Sequence, residues 1–371
     1  MGVTVFTMTH KKFPTPKDPV YVPLQVGRAG KADLGYMGDD TGVNISEKNC
    51  YYGELTGVYW VWKNIKTSDY VGICHYRRYF CTEEGRILTA GEYETILSEY
   101  DIITSKKLKL NFSYYDGYAS DYNIHDLDAV GEVIRQFYPD YYETFSELVQ
   151  GKGTYFGNMM VCSKELYDKY CEWLFGIFEK AKGQIDASGY DDYHKRVYGF
   201  ISEFLLYVWV SVQGLKVYEC KVGMTDEKRE TTETKERLAA YFAKKDIAGA
   251  KAYILSCLER RPDILMEASD ITGELKLSMQ VIAVCELEDQ IYGSSIIDRM
   301  QEFGALTAHF QKLNDLILSY KKGETKMSPL EAASYFKSEG ITHIAIEASA
   351  RLFCPPEEAR QLTEAMTAGV Q

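Results

Sequence analysis

An apolar segment that ends in a histidine and two arginines constrains the fold of this chain more than any other feature. The segment runs from Tyr70 to Cys74 and is followed by His75, Arg77 and Arg78. Its strand-forming residues predict a short buried strand that carries those three side chains at its C-terminal edge. In open α/β sheets the ligand crevice lies at that edge. Because guanidinium groups match phosphate oxygens in pairs, the segment predicts either a phosphate site or a strand end with two solvated arginines.

Length and charge limit the classes of ligand. The chain has 371 residues, enough for two domains, and 46% of them are hydrophobic. The formal net charge is −12 and the isoelectric point is about 5.2. Such a surface repels nucleic acid and anionic lipid, so we expect no nucleic-acid partner. A bound phosphate would have to be held in a local pocket.

The cysteines and the apolar segments predict a cytoplasmic protein without a membrane span. The nine cysteines form no Cys-x-x-Cys pair, which favours free thiols in a reducing compartment over a disulfide framework or a zinc site. Lys11 and Lys12 end an N-terminal apolar segment that is too short for a signal peptide. The most apolar later stretch, residues 200–212, is too short to cross a bilayer.

Composition divides the chain near residue 225. All four tryptophans and most of the 30 tyrosines precede that point, and a polar stretch without aromatic residues follows it. We therefore predict a first domain over residues 1–225, a linker over 226–237 and a second domain over 238–371. Small residues spaced along two short helices at 239–261 predict that the second domain is all-α and contains a helical hairpin of tetratricopeptide type.

The first strand of the first domain also ends in polar residues. A β-branched alternating run from Val3 to Met8 predicts this strand. The C-terminal edge of a first strand is the usual place for nucleotide contacts in a Rossmann-like sheet, although no Gly-x-Gly-x-x-Gly motif follows here. The residues placed there are Thr9, His10, Lys11 and Lys12. A solvated pair of lysines is the alternative.

A loop dense in glycine, aspartate and asparagine occupies residues 34–49. Its side chains can satisfy hydroxyl groups and its glycines permit close approach, which suits a binding loop. The candidate contacts are Asp39, Asp40 and Asn44. A surface loop built from Asx-turns is the alternative interpretation.

Tyrosines and carboxylates crowd residues 111–128. Aromatic faces pack on sugar rings while carboxylates accept hydroxyl protons, so the segment predicts a sugar-handling cleft that includes Asp121. Asp126 and Asp128 have the Asp-x-Asp spacing that chelates a divalent ion on a diphosphate. Acids at the start of a helix are the more common reason for such a pattern.

Two further polar residues stand out near the end of the first domain. Asn158 follows a glycine-rich loop and is a candidate ligand contact. Glu203 lies in an apolar helix predicted over residues 196–209. A carboxylate in that environment is either paired, with Arg196 or Arg78, or retained for chemistry.

These segments together resemble the family catalogued as domain of unknown function 4422. The resemblance covers about residues 3–222 and includes His75-Tyr76-Arg77-Arg78-Tyr79-Phe80 and Asp39-Asp40-Thr41-Gly42. Further matching blocks are residues 9–12, 44–49, 54–64, 157–159 and 199–203. Members are bacterial glycosyltransferases of capsular and exopolysaccharide biosynthesis, some of them galactofuranosyltransferases. One position departs, because Phe204 stands where many members have arginine.

The resemblance implies a GT-A-like, Rossmann-type mixed sheet flanked by helices. It also implies transfer of a hexose, such as galactofuranose, from a nucleotide sugar, such as a UDP-sugar, to a hydroxyl of a growing cell-surface polysaccharide. Nucleotide and ribose would contact residues 9–12 and the loop with Asp39, Asp40 and Asn44. The leaving diphosphate would contact His75, Arg77 and Arg78. An inverting mechanism would use Asp121 or Glu203 as the base.

Several expectations stay open at this level. A divalent metal, Mg²⁺ or Mn²⁺, would assist the leaving diphosphate unless arginines replace it. The acceptor would be a glycan or a lipid-linked glycan, reached at the inner face of the plasma membrane by peripheral association. The C-terminal helices would dock a partner chain, position the acceptor, support oligomerisation or merely cap the fold. A non-catalytic glycan- or nucleotide-binding scaffold is the alternative function.

Overall fold

The chain forms two compact units, Met1–Thr225 and Asp226–Gln371. A computed structural model describes residues 2–265, 269–324 and 327–367. The first unit combines a mixed sheet with helices, whereas every regular element of the second unit within these ranges is helical. Each unit has a hydrophobic core of its own.

The first unit contains ten strands. They are β1 (Val3–Thr9), β2 (Tyr21–Gln25), β3 (Met37–Gly38), β4 (Tyr70–His75), β5 (Arg78–Cys81), β6 (Ile102–Ser105), β7 (Leu108–Lys109), β8 (Gly153–Thr154), β9 (Met160–Ser163) and β10 (Val217–Met224). Strands β1, β2, β3 and β4 run parallel, and β9 joins β4 to β6 by antiparallel pairing on both sides. β10 pairs parallel with β6 and antiparallel with β5, while β7 and β8 form a separate ribbon.

Eight helices surround this sheet. They are α1 (Asn49–Tyr52), α2 (Leu55–Asn64), α3 (Ala90–Leu97), α4 (Tyr114–Asp121), α5 (Ile124–Phe137), α6 (Pro139–Gln150), α7 (Lys164–Ala181) and α8 (Val197–Gln213). Short 3₁₀ turns occupy Ser46–Lys48 and His194–Arg196. Alternate residues of β1 enter different cores, with Phe6 and Met8 on one face of the sheet and Val5 on the other. Both faces are therefore covered.

The strand predicted from the His-Tyr-Arg-Arg segment is present and lies in the middle of the sheet. Val71, Ile73 and Cys74 are fully buried. His75 pairs with Met8 of β1 on one side and with Arg78 of β5 on the other. The chain thus turns through two residues directly at the sheet edge. The polar ends of β1 and β4 lie next to each other because the two strands pair in parallel, with Met8 opposite His75.

Helix α8 turns Phe204 into the core. Its ring stacks on Tyr114 at 4.2 Å between centroids and meets Phe145 edge-on at 5.8 Å. Neighbouring Glu203 is only partly buried and faces the edge of β4. Successive residues of a helix point about 100° apart, so phenylalanine at position 204 removes no side chain from that edge.

The second unit contains α9 (Arg229–Ala243), α10 (Ile247–Arg260), α11 (Glu274–Tyr292), α12 (Phe303–Lys321), α13 (Pro329–Glu339), α14 (His343–Ala350) and α15 (Pro356–Thr367), with 3₁₀ turns at Pro262–Leu265 and Ile296–Asp298. Leu238, Phe242, Val281 and Phe310 are among the buried residues of its core. The tetratricopeptide-type assignment of α9 and α10 stays a prediction.

The predicted linker differs from the structure. Residues 229–237 form the first part of α9 instead of an extended connection. Their polar composition misled the prediction, although Thr231, Thr234 and Lys235 are buried. Lys235 can be buried because its ammonium group pairs with Glu227 and Glu274 at 2.7 Å each. Asp270 is a third partner at 3.6 Å, and a buried lysine with three carboxylate partners can form one side of a packed helix.

The nine cysteines are free thiols, as the spacing predicted, and only Cys50 is exposed. Within the described ranges, no helix is long and apolar enough to span a membrane.

We expect Phe204→Ala to lower the free energy of unfolding of the first unit by about 3–5 kcal/mol, because it empties a fully buried ring site. Tryptophan fluorescence in a urea titration reports this unit alone, since all four tryptophans lie in it. Phe112→Ala removes a ring that is 49% exposed and is the matched control. A loss below about 1 kcal/mol for Phe204→Ala would contradict the assigned packing.

Candidate functional site

A rim of basic and aromatic side chains marks the edge where β1 and β4 end. Tyr76, in the turn after β4, has the His10 ring 5.3 Å away edge-on. The Lys11 ammonium and the Arg77 guanidinium each lie 5.1 Å from the Tyr76 ring centre. Burial lowers the pKa of His10, and the charges of Lys11 and Arg77 lower it further. The rim therefore concentrates positive charge around one aromatic ring.

The four predicted residues that follow β1 do not share one role. Thr9 is buried, and its hydroxyl both donates to the Lys11 carbonyl at 2.5 Å and accepts from the Lys11 amide at 3.2 Å. It fixes the turn. His10, Lys11 and Lys12 are exposed and point their charge or ring outward. The first two belong to the rim, and Lys12 extends its positive charge.

Behind the rim lies a group of five ionisable side chains, which we call the charge cluster. Its members are Glu54, His75, Arg78, Arg196 and Glu203. In chain order they lie directly before α2, at the end of β4, at the start of β5, in the 3₁₀ turn before α8 and in the second turn of α8. All five are partly buried. Elements far apart in the sequence thus bring three cationic or basic groups and two carboxylates to one place.

The backbone of Gly157 holds two members of the charge cluster. Its carbonyl oxygen accepts a hydrogen bond from His75 Nε2 at 2.5 Å, and its amide acts on the Glu203 carboxylate and lowers the pKa of that group. Gly157 adopts φ of +90°, a conformation that side-chain-bearing residues rarely adopt. A Cβ atom there would lie 3.3 Å from Nη1 of Arg78. Only glycine fits this position without strain.

Asn158 supports the same region, and protein groups use both N–H donors of its amide. Its Nδ2 donates to Glu54 Oε1 at 2.7 Å and to the Gly199 carbonyl at 3.1 Å. Its Oδ1 accepts from the Ser202 hydroxyl at 2.8 Å. Asn158 is 4% exposed and has φ of +50°. These contacts indicate a supporting role beneath the site; direct ligand contact stays a prediction.

Burial and neighbouring charges set the protonation of the cluster. Burial raises the pKa of Glu203 to about 8, and Glu54 adds to the effect while Arg78 and Arg196 oppose it. Although burial acts in the opposite sense, His75, Arg196 and the Asn158 hydrogen bond lower the pKa of Glu54. Burial lowers the pKa of His75 to about 4. At neutral pH, Glu54 is ionised, Glu203 is largely protonated and His75 is neutral.

The arginines therefore supply the positive charge that the sequence also assigned to His75. Arg78 lies 4.9 Å from the Phe156 ring centre, and Arg196 lies 5.3 Å from that of Phe200. Within residues 2–265, 269–324 and 327–367, no carboxylate forms an ion pair with Arg77, Arg78 or Arg196. The charges of Arg78 and Arg196 lower the pKa of Glu203, although neither arginine forms an ion pair with it. Three guanidinium groups remain able to bind an anion.

Two aspartates of the loop at residues 34–49 stabilise this loop and the neighbouring backbone. Asp39 is fully buried, and its carboxylate accepts from the Gly27 amide at 2.7 Å, the Arg28 amide at 3.0 Å and the Ser46 hydroxyl at 2.5 Å. Asp40 pairs with Arg28 Nε at 2.7 Å. These contacts favour the interpretation that both acids shape the loop. Their predicted contact with ribose has no separate support.

Asn44 also makes local contacts. Its Oδ1 accepts from the Ser46 amide at 3.2 Å, and its Nδ2 donates to the Gly42 carbonyl at 3.1 Å. This is the geometry of an Asx-turn, as the alternative interpretation of the loop proposed.

The two predicted base candidates lie in different surroundings. Glu203 belongs to the charge cluster, whereas Asp121 is exposed at the end of α4. Asp121 lines a cavity of about 370 Å³ whose wall contains Tyr118, Tyr122 and Tyr190. The predicted tyrosine-rich cleft is thus present, and the structure does not bring its carboxylates into the charge cluster.

Asp126 and Asp128 do not form the predicted chelating pair. They lie two positions apart on α5 and hence on different sides of that helix. Asp126 accepts from the Tyr190 hydroxyl at 2.8 Å, and Asp128 accepts from Tyr115 at 3.2 Å. In the described part of the chain, no group of three or more His, Cys, Asp or Glu side chains is arranged to hold a metal ion.

Glu54 is a site residue that the sequence interpretation missed. It lies at the start of residues 54–64, a segment whose aromatic residues suggest core packing instead of a ligand site. Its position directly before α2, beside a buried asparagine and histidine, depends on contacts across 104 residues of sequence. No local pattern reports such a contact.

Comparisons with known proteins agree with this architecture. The model of the family described as domain of unknown function (DUF4422) matches residues 4–214. A solved structure, the apo form of the bifunctional glycosyltransferase WbbM, is similar with a TM-score of 0.56 and 31% sequence identity. The similarity covers 61% of this chain and 46% of that chain, so this chain matches less than half of the WbbM chain. No curated protein matches.

We expect Glu203→Gln to change the pH dependence of stability. The folded pKa of about 8 lies above the ordinary 4.5, so the stability that the protonated carboxyl contributes is complete below about pH 4.5 and is lost as pH rises to 8. Across that window, the free energy of unfolding of the wild type should fall relative to Glu203→Gln by at least about 1 kcal/mol.

Tryptophan fluorescence in urea at several pH values measures this difference. Glu172→Gln changes an exposed carboxyl of α7 and should follow the wild type. Parallel curves for wild type and Glu203→Gln would show that Glu203 has no raised pKa.

Proposed function

The chain belongs to the family described as domain of unknown function DUF4422, and from this premise we propose that it is a glycosyltransferase. It would transfer a hexose, such as galactofuranose, from a nucleotide sugar to a hydroxyl of a growing cell-surface polysaccharide. The observation that carries the proposal is a set of three arginines, at and beside the edge where β1 and β4 end, that form no ion pair with any carboxylate of the described residues. The similarity to the bifunctional glycosyltransferase WbbM supports it.

The arginines suit the negative charge that develops when a nucleoside diphosphate departs. Arg78 and Arg196 are partly buried, where a cation stabilises an anion more than it does in water. Arg77 lies on the rim beside Tyr76 and Lys11. We assign the diphosphate of a donor such as a UDP-sugar to this group. His75, neutral at pH 7, orients the loop at Gly157 and adds no charge.

A divalent metal would enter with the donor diphosphate, if the reaction uses one. Among the described residues, no group of three or more His, Cys, Asp or Glu side chains is arranged to hold a metal ion without the diphosphate. Mg²⁺ commonly keeps waters and substrate phosphates as ligands and needs only one or two protein carboxylates. Glu54 is the ionised carboxylate of the cluster and the residue that such an ion would meet.

Glu203 is the proposed base in an inverting reaction. A general base works best when its pKa lies near the operating pH, and burial places the pKa of Glu203 at about 8. The Gly157 amide, Arg78 and Arg196 act on this carboxylate and keep its pKa from rising further. Asp121 is the alternative base, because it lines the tyrosine-walled cavity.

The acceptor would be a glycan or a lipid-linked glycan. A protein of net charge −12 would reach such a lipid at the inner face of the plasma membrane by peripheral contact only. We assign the helical second unit to contacts with a partner chain or with the acceptor, or to oligomerisation. A cytoplasmic location fits this scheme.

Release of nucleotide from a panel of nucleotide sugars, with an oligosaccharide acceptor and with Mg²⁺, Mn²⁺ or EDTA, tests the proposal directly. Turnover of one donor would establish the activity, and its loss in EDTA would establish a metal requirement. Tight binding of nucleotide or glycan without turnover of any donor would instead support a non-catalytic scaffold.

We expect Arg77→Ala combined with Arg78→Ala to lower kcat by at least about 10³-fold, because two diphosphate-binding cations are lost. Circular dichroism and thermal melting should show that the variant is folded. Arg86→Ala, which breaks a surface pair with Glu92, is the matched control and should keep full turnover. Turnover within about threefold of wild type in the double variant would remove these arginines from the mechanism.

The pH dependence of kcat separates the two base candidates. With Glu203 as the base, kcat should rise with pH up to about 8 as the carboxyl loses its proton. Glu203→Gln should abolish that rise and lower kcat by at least about 10²-fold, while Asp121→Asn changes kcat by less than about tenfold. The reverse pattern would assign the base to Asp121.

A further inference from the structure

The cavity beside the charge cluster has the properties of a sugar-binding site. It has a volume of about 370 Å³ and is formed by the end of α4, the start of α5 and the segment before α8. This volume lies at the lower end of the range for small-molecule sites in proteins. We propose that the cavity binds one sugar ring of the acceptor glycan; this assignment of the acceptor subsite rests on the function proposed above.

An unsatisfied buried hydroxyl in the cavity wall points to a ligand. Tyr118 is 4% exposed, and its hydroxyl has no hydrogen-bond partner among the residues that the structure describes. A buried polar group without a partner costs about 1–3 kcal/mol, so such groups normally meet a water or a ligand. Tyr118 lines the cavity, where a sugar hydroxyl would be a partner.

Asp126 supplies a second polar contact in the same wall. It is 3% exposed, and its carboxylate accepts a hydrogen bond from the Tyr190 hydroxyl at 2.8 Å. Asn123 donates to that tyrosine at 2.6 Å and so orients it. A carboxylate has room for about four hydrogen bonds, and a sugar hydroxyl is a suitable donor.

Aromatic rings form part of the wall, where Tyr118, Tyr122 and Tyr190 line the cavity, and Phe200 and Tyr193 pack behind Tyr122. Tyr122 lies 4.9 Å from Tyr118 and 4.7 Å from Phe200 between ring centres, and it stacks on Tyr193 at 6.4 Å. Such rings pack against the C–H-rich face of a sugar while hydroxyl groups at the rim are hydrogen-bonded.

The charges of the cavity exclude the nucleotide part of the donor. Asp121, Asp126 and Asp191 line it, and the basic member of the wall is His194. The His194 Nδ1 atom lies 2.8 Å from the Asp191 carboxylate. A diphosphate would be repelled by this set, whereas an uncharged polyol is not. The chemistry therefore favours a neutral sugar over a nucleotide.

A three-residue 3₁₀ turn connects the cavity with the charge cluster. His194, at its start, lines the cavity, and Arg196, at its end, acts on Glu203 and His75. Phe200 contributes to both places, since its ring contacts Tyr122 and the Arg196 guanidinium. An acceptor sugar in the cavity would therefore lie next to the proposed diphosphate site.

A large side chain introduced at position 189 should fill the cavity without disturbing the fold. Gly189 lines the cavity, and a side chain there would meet no atom within 4 Å. Gly189→Trp should fill the space. Gly183→Trp is the matched control, because Gly183 is equally unhindered and does not line the cavity.

Saturation-transfer NMR of the full chain with methyl glycosides of galactopyranose, galactofuranose, mannose and rhamnose tests the subsite without any turnover. We expect the wild type and Gly183→Trp to bind at least one glycoside and Gly189→Trp to bind none. Tyr118→Phe should weaken binding about three- to tenfold, since one hydrogen bond is lost. Tyr170→Phe, in the core, should not weaken it.

Absence of glycoside binding by the wild type up to about 50 mM, or equal binding by Gly189→Trp, would overturn the proposal. The glycosyltransferase assignment fails separately. If Gly189→Trp abolishes glycoside binding and the wild type turns over no donor, the sugar site is supported and the glycosyltransferase assignment is refuted. If the protein turns over a donor and Gly189→Trp leaves the KM for the acceptor unchanged, the glycosyltransferase assignment stands and the acceptor subsite is refuted.

Discussion

Two interactions of the Gly157 backbone, a hydrogen bond and an electrostatic contact, hold the candidate site together. One joins the loop before β9 to His75 at the end of β4, and the other joins it to Glu203 on α8. Three elements that are distant in sequence are thereby fixed to one peptide unit. The positive φ of this residue is the conformational cost, and glycine makes that cost small. The positions of Arg78 and Glu54 follow from this arrangement.

Burial then gives each member of the charge cluster a distinct protonation state. Two carboxylates that share one low-dielectric region cannot both ionise easily, and Glu54 has the closer support from Asn158. Glu203 consequently retains its proton at neutral pH. Arginine does not lose its charge under such conditions, which is why the cationic character of the site rests on guanidinium groups.

The sequence predicted the central strand and its polar edge because both depend on local pattern. The apolar run before His75 and the β-branched run before Thr9 are short-range signals, whereas the parallel pairing of β1 with β4 is visible only in the structure. The role of Asp39 could not be predicted in this way. An acid in a glycine-rich loop is compatible with ligand binding or with capping of backbone amides, and only the positions of Gly27 and Arg28 distinguish the two.

The site residues show the same limit. Arg77 and Arg78 were recognised because two adjacent arginines after an apolar run are visible in the sequence. Glu54 was missed, and His75 was given a positive charge, since protonation depends on burial and on neighbours from other elements. The polar stretch at residues 229–237 was likewise mistaken for a linker, because the partners of Lys235 at Glu227 and Glu274 make a buried ion-pair network that composition does not show.

The contact between His75 and the Gly157 carbonyl also fixes the tautomer of the imidazole. A carbonyl oxygen only accepts, so Nε2 carries the ring proton, and in the neutral ring Nδ1 carries a lone pair. His75 thus presents a hydrogen-bond acceptor at its other nitrogen. A phosphate oxygen is a poor neighbour for that atom, whereas a hydroxyl or amide N–H is a good one. The histidine of the His-Tyr-Arg-Arg segment is therefore suited to a hydrogen-bond donor, and its arginines are suited to an anion.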